Sequence, residues 1–261
     1  GYVYFDTPSS FCLCKMKIRY LLILLIIVVS CDKRNDDHTA SRFHIDKNYY
    51  EIIQWRDQTI NITSGSGDLQ ISTPNADKIQ LSYEKGSTES GINGKIDIKG
   101  IKRGEAQVQL VDRVTKESVK LNLKIVPPYI ELIADDSTDP VLDIGTDLFL
   151  INDEGHSFYI FSYNHPIAKY NIPPRYSGYY QFVKEEDNVI LRLKNKDDSF
   201  HREFVIQTNS KEDMDKLLEF SDSEIGEEYN LGIPIQLKDV RQGYTINGGV
   251  GMGTNIPEHF L

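Results

Sequence analysis

At 261 residues, with 39% apolar and 10% aromatic residues, the chain has material for one or two packed domains, which excludes disorder as its default state. Its formal charge of −10 repels phosphate backbones, so nucleic acid is excluded as an expected partner. Cys12, Cys14 and Cys31 are the only cysteines, which leaves no disulfide framework or thiolate metal site further along the chain.

Residues 1–15 fit no signal anatomy and are expected to be upstream translated sequence, with Met16 as the true start. Across 16–30, Lys17 and Arg19 precede an apolar run that ends in Val28-Val29-Ser30. These are the charged, apolar and small-residue regions of a secretory signal. The uninterrupted apolar stretch from Tyr20 to Val29 is about half the ~20 residues that a membrane-spanning helix requires. Followed by Cys31, the segment resembles a bacterial lipoprotein signal. That resemblance implies cleavage before Cys31 and lipidation of Cys31, so that a lipid anchor is the link to the membrane. Residues 31–48 are polar and lack hydrophobic periodicity, and they read as a tether. Their acidic opening, Asp32 with Asp36-Asp37, resembles the stretch that follows the lipidated cysteine in surface-exported lipoproteins of the Bacteroidota. This implies an outer-membrane lipoprotein that faces the cell surface rather than the periplasm.

From 49 to 127 the chain breaks into seven short runs: YYEIIQW, QTINIT, DLQIST, KIQLSYE, KIDIKG, EAQVQLVD and SVKLNLKIV. Each places apolar or β-branched residues at alternate positions, as in Ile96 and Ile98, and Gly-rich turns separate them. Period two over such lengths predicts half-buried strands, and this many in so short a span predicts a sandwich. Trp55, the only tryptophan, is expected to pack at the edge or in the core of this domain. The order INITSGSGDLQIST, KIDIKGIKRGEAQVQLVD and SVKLNLKIV resembles the bacterial immunoglobulin-like domains (group 2 type) of surface proteins and adhesins. The resemblance implies positive φ at Gly100 and Gly104, core positions for Ala106 and Val108, and a role as either spacer or binder. Pro127-Pro128 marks the expected domain boundary, because two prolines cannot join a central ladder.

Residues 128–261 predict a second β-rich, sandwich-like domain with one short helix. Its runs are YIELIA, PVLDI, DLFLIND, SFYIFSYN, YYQFV, VILRL, SFHREFVIQT, LGIPIQL and GYTINGGVG. Ser210 and Asp213 have capping-box spacing, with Met214, Leu217 and Leu218 on one face of the helix that follows. The run Gly248-Gly249-Val250-Gly251-Met252-Gly253 lacks the Lys-Ser/Thr of a phosphate loop.

No catalytic residue is assigned, and no cofactor or metal is expected. The six histidines form no ligand-spaced cluster, and the paired acids sit mainly at predicted turns. Tyrosines are the informative side chains, with six of fifteen lying between Phe158 and Phe182. A tyrosine joins a flat apolar face to a polar tip, which suits a glycan or a protein partner. Tyr170, Tyr176, Tyr179 and Tyr180 are therefore the candidate ligand- or partner-binding residues. The sequence thus predicts a non-enzymatic, membrane-anchored envelope lipoprotein that serves adhesion or binds a glycan or protein. A structural spacer or accessory subunit of an envelope assembly is the alternative. A glycoside hydrolase would require two carboxylates to converge in the second domain.

Overall fold

The computed structural model describes residues 42–86, 91–164, 169–222, 226 and 229–261. The expected signal, Cys31 and the tether up to residue 41 lie outside them. Residues 41–261 form one compact unit.

The alternating runs of the first domain become seven strands: β1 (Tyr49–Ile53), β2 (Asp57–Ile62), β3 (Leu69–Ser72), β4 (Ile79–Lys85), β5 (Gly94–Gly100), β6 (Gly104–Asp112) and β7 (Ser118–Val126). They build two sheets, β1-β7-β6-β3 and β2-β5-β4. Because side chains alternate across a strand, each sheet turns one apolar face inward. Ile60, Ile96 and Ile98 from one sheet meet Val108, Leu121 and Leu123 from the other in a single buried cluster. Ala106 and Val108 are buried there, and Gly104 has φ +116°. Gly100 differs from expectation in that its φ is not positive. Its missing side chain instead makes room for Ile125, whose Cγ2 would stand 2.9 Å from a Cβ at that position. Asp112 binds two turns together. Its carboxylate accepts from the Ser66 N–H at 2.6 Å and hydroxyl at 2.7 Å, and from the N–H groups of Val114 and Thr115 at 2.8 and 3.0 Å. The end of the presumed tether is also packed rather than free: Phe43 is buried, and its N–H donates to Glu117 Oε2 at 2.5 Å.

Pro127-Pro128 separates β7 from β8 (Tyr129–Ser137). There follow β9 (Thr146–Ile151), β10 (Ser157–Asn164), β11 (Lys169–Tyr170), β12 (Tyr176–Glu185), β13 (Asn188–Lys194), β14 (His201–Thr208), α1 (Lys211–Asp222), β15 (Gly232–Asp239) and β16 (Thr245–Met252). The domain is β-rich with one helix, as expected, but its sheet closes on itself where two facing sheets were anticipated. Antiparallel neighbours run β8-β9-β10-β12-β13-β14-β15-β16, and β16 then pairs with β8, so eight strands make an up-and-down barrel with β11 appended to β10. The glycine run holds the seam. A Cβ at Gly248 would lie 2.1 Å from the Ile133 carbonyl oxygen, and the β16–β8 register shifts between Asn247 and Gly248. A bulge of this kind bends the last strand onto the first. The run PVLDI forms no strand, because the Asp139 carboxylate accepts from the N–H groups of Val141 and Leu142 at 2.8 and 3.1 Å and turns the chain there.

Side chains fill the barrel. Leu132, Leu150, Phe158, Leu191, Phe204 and Leu237 are among those in its core. A gap among Leu132, Leu150, Leu191 and Leu237 measures about 10 Å³, no more than one water requires. Ser210 caps α1, its Oγ accepting from the Asp213 N–H at 3.1 Å, and the helix lays Leu217 and Phe220 into the barrel core. Elsewhere Arg202 bridges the buried carboxylates of Asp139 and Asp239, the latter at 3.0 Å. A smaller apolar cluster joins the two domains: Ile53 packs with Tyr129, Phe149, Ile151 and Phe161 on the outer barrel wall, beneath Ile256, Phe260 and Leu261. Among the described residues, no helix is long and apolar enough to cross a membrane.

Candidate binding pocket

With the lumen occupied, a ligand must meet the outer surface, and the β8–β9–β10 wall is where that surface is unusual. Leu132, Leu148 and Ile160 belong to the barrel core, so alternation turns Glu131, Ile133, Asp147 and Tyr163 outward. Strand β11 pairs antiparallel with β10, and its Tyr170 reaches over this wall. The Tyr170 hydroxyl lies 2.9 Å from Glu131 Oε1 and 2.6 Å from Asp147 Oδ2. Its ring stands edge-on to Phe149 at 5.5 Å and to Tyr163 at 5.1 Å between centroids. Both carboxyl groups are buried.

This cluster floors an open pocket of about 680 Å³, within the range typical of small-ligand sites. Ile133, Ile144 and Ile172 line it and are 52%, 63% and 64% exposed. Asn255 and Pro257 contribute from the C-terminal segment, and Lys169 stands exposed among the lining residues. Half of the large, well-exposed apolar side chains among the described residues therefore gather around one acidic floor. The floor is electrostatically unusual as well. Burial pushes the Glu131 carboxyl above its ordinary range and the charge of Asp147 adds to this, against the opposing hydrogen bond from Tyr170. Burial, the hydrogen bond to Asp147 and the charges of both carboxylates hold the Tyr170 hydroxyl in its protonated form. One hydroxyl proton serves two carboxyl groups, so Tyr170 donates to only one of them at a time.

The four tyrosines expected to share a recognition surface are not brought together. Tyr170 belongs to the pocket. Tyr176 and Tyr180 occupy positions of β12 that face the barrel core: Tyr180 is only 2% exposed, and Tyr176 stacks on Phe200 at 4.2 Å. Tyr179, one position away from Tyr180, points outward and is 42% exposed. Period two on a half-buried strand separates neighbours that looked like one cluster in the sequence. The sequence reading missed Glu131 and Asp147. Their signal was a carboxylate inside each of the apolar runs YIELIA and DLFLI, at positions a plain two-sided core strand would fill with apolar residues.

No family model matches the chain, and no curated protein matches it. Among solved structures, domains 5–6 of the S-layer protein SbsC align with 84% of this chain and 99% of that one, at 9% identity and a TM-score of 0.27. Domains 4–9 of the surface layer protein SbsC align with 80% of this chain and 31% of theirs, at the same identity and TM-score. Similarity at that level assigns neither fold nor function to this chain.

Proposed function

We propose that this chain is a non-enzymatic, membrane-anchored envelope lipoprotein that binds a partner protein at the Glu131–Asp147–Tyr170 pocket. The partner would insert a basic side chain flanked by apolar ones. The observation that carries this reading is the pairing of an apolar rim (Ile133, Ile144, Ile172) with two buried carboxyl groups at its floor. A lysine or arginine has the complementary shape, with an apolar stem for the isoleucines and a cationic head for the carboxylates. A sugar hydroxyl would find acceptors on the floor but would meet an apolar rim it cannot hydrogen-bond. The convergent carboxyl groups do not favour hydrolysis either. Tyr170 occupies the space between them, where a glycosidic oxygen would have to sit.

Hexylamine and hexanoate, equal in length and opposite in charge, test the pocket directly. In methyl NMR spectra of the full chain in detergent, hexylamine should shift the Ile133, Ile144 and Ile172 resonances. Its affinity should fall about tenfold in Glu131→Gln and Asp147→Asn, the loss of one charge-assisted contact. Equal binding of hexanoate, or no binding of either, removes the pocket from consideration and leaves the spacer role. The anchor has its own test: Cys31→Ala should abolish lipid labelling and membrane fractionation, and unchanged fractionation would refute lipidation at Cys31.

A further inference from the structure

The seam between the two domains contains a second groove, of about 900 Å³, chemically unlike the pocket on the barrel wall. Its first-domain side is the turn from β1 to β2, formed by Trp55, Arg56 and Asp57. Asn230 and Thr254 face it from the barrel and the segment after β16. Trp55 has φ +67°, a left-handed conformation that a bulky L-residue rarely adopts. Backbone hydrogen bonds impose it: Trp55 N–H donates to the Gly100 carbonyl at 2.7 Å, Gln54 N–H to that of Val126 at 2.9 Å, and Arg56 N–H to that of Ile53 at 3.0 Å. The only tryptophan of the chain is thus held half-buried in a groove rather than enclosed in a core.

The side chains beside it keep their hydrogen-bonding capacity. Among the described residues, the Trp55 indole N–H, the Arg56 guanidinium and the Asp57 carboxylate make no hydrogen bond or salt bridge. Three consecutive residues therefore offer an aromatic face, a planar fork of donors and a planar pair of acceptors. Across the groove stand an amide and a hydroxyl. Charge in the groove is mixed, with Arg56 and Lys99 against Glu51, Asp57 and Glu258, which selects neither a strong anion nor a strong cation.

We infer that the interdomain groove is a saccharide-binding site, with Trp55 as the stacking platform and Arg56 and Asp57 as the hydroxyl-binding pair. A neutral pyranose matches this lining: its C–H face lies on an aromatic ring, and its adjacent hydroxyls both donate and accept. An apolar ligand would strand the unsatisfied guanidinium and carboxylate. The inference is independent of the protein-binding pocket, since the two sites share no lining residue.

Trp55 reports on its own groove, because no other tryptophan contributes to the emission. The full chain in detergent is titrated with maltotriose, cellotriose, xylotriose and laminaritriose while tryptophan fluorescence is followed. At least one trisaccharide should change the emission saturably. Its affinity should fall about tenfold or more in Arg56→Ala and in Asp57→Asn, at two exposed positions, and should be unchanged in Glu131→Gln. Silence with all four sugars at millimolar concentration overturns the inference, as does a response that survives both groove substitutions. A response lost in Glu131→Gln but kept in the groove variants moves the sugar to the barrel-wall pocket and also overturns it.

Discussion

Asp112 and Glu131 are both buried carboxyl groups whose surroundings push them in opposite directions. At Asp112 burial alone would raise the pKa, but hydrogen bonds from Ser66, Thr115 and Val114 outweigh it and hold the group below the usual range. The stability it contributes is present above the ordinary aspartate pKa and is lost as pH falls through the lowered one. Asp112→Asn should therefore cost about 2–3 kcal/mol at pH 7, and the deficit should shrink in acid. Glu131 binds its proton more tightly folded than unfolded, so its charged form works against the fold. Its penalty grows as pH rises from the ordinary glutamate value through the raised one. Glu131→Gln should melt at a higher temperature than wild type at pH 7, with the gain vanishing below the ordinary carboxylate range. Thermal melts of both variants from pH 3.5 to 8, a range spanning about the carboxylate titration, check the opposed signs. Two curves that move in the same direction would contradict the assigned environments.

At the scale of the element, α1 separates local from tertiary stabilisation. Ser210 caps the helix in solvent, whereas Phe220 is enclosed in the barrel core. Ser210→Ala should cost about 1 kcal/mol and Phe220→Ala about 3–5 kcal/mol, as measured by urea unfolding. Similar losses would mean that the helix does not contribute to the core. The cap was legible because it depends on residues three apart. The strands were legible for a similar reason, since one buried face writes itself as period two. What the sequence could not display was the partner of each face. Strands of a sandwich and of a filled barrel carry the same alternation, so closure of β16 on β8 left no local mark beyond the glycines at the seam. Glu131 and Asp147 did stand out inside apolar runs, but an acid on the outer face of a strand reads as solvated until Tyr170 is seen to lie on it.

For the molecule as a whole, the barrel depends on that seam. Gly248→Val would drive a side chain into the Ile133 carbonyl, so it should unfold the second domain or greatly lower its melting temperature. Gly243→Ala, at a position where a Cβ meets nothing within 4 Å but φ is +72°, provides a control with strain and no clash. Calorimetry on the two variants distinguishes close approach from backbone strain, and equal losses would argue against a tight seam.

Closure also decides where the molecule can associate by sharing strands. Each of the eight barrel strands pairs with a neighbour on both sides over part of its length or all of it, and among the described residues β11 stands at the end of the row. In the first domain, β1, β3, β2 and β4 each end a sheet, with one side of the backbone outside the ladders among the described residues. Strand exchange or fibre growth has its templates in those edges. β4 carries Glu84 and Lys85 along its border, and β3 is only four residues long. Charge and brevity are the ways such borders are made poor templates, so removing the charges from β4 is the change most prone to convert this molecule into a self-associating one.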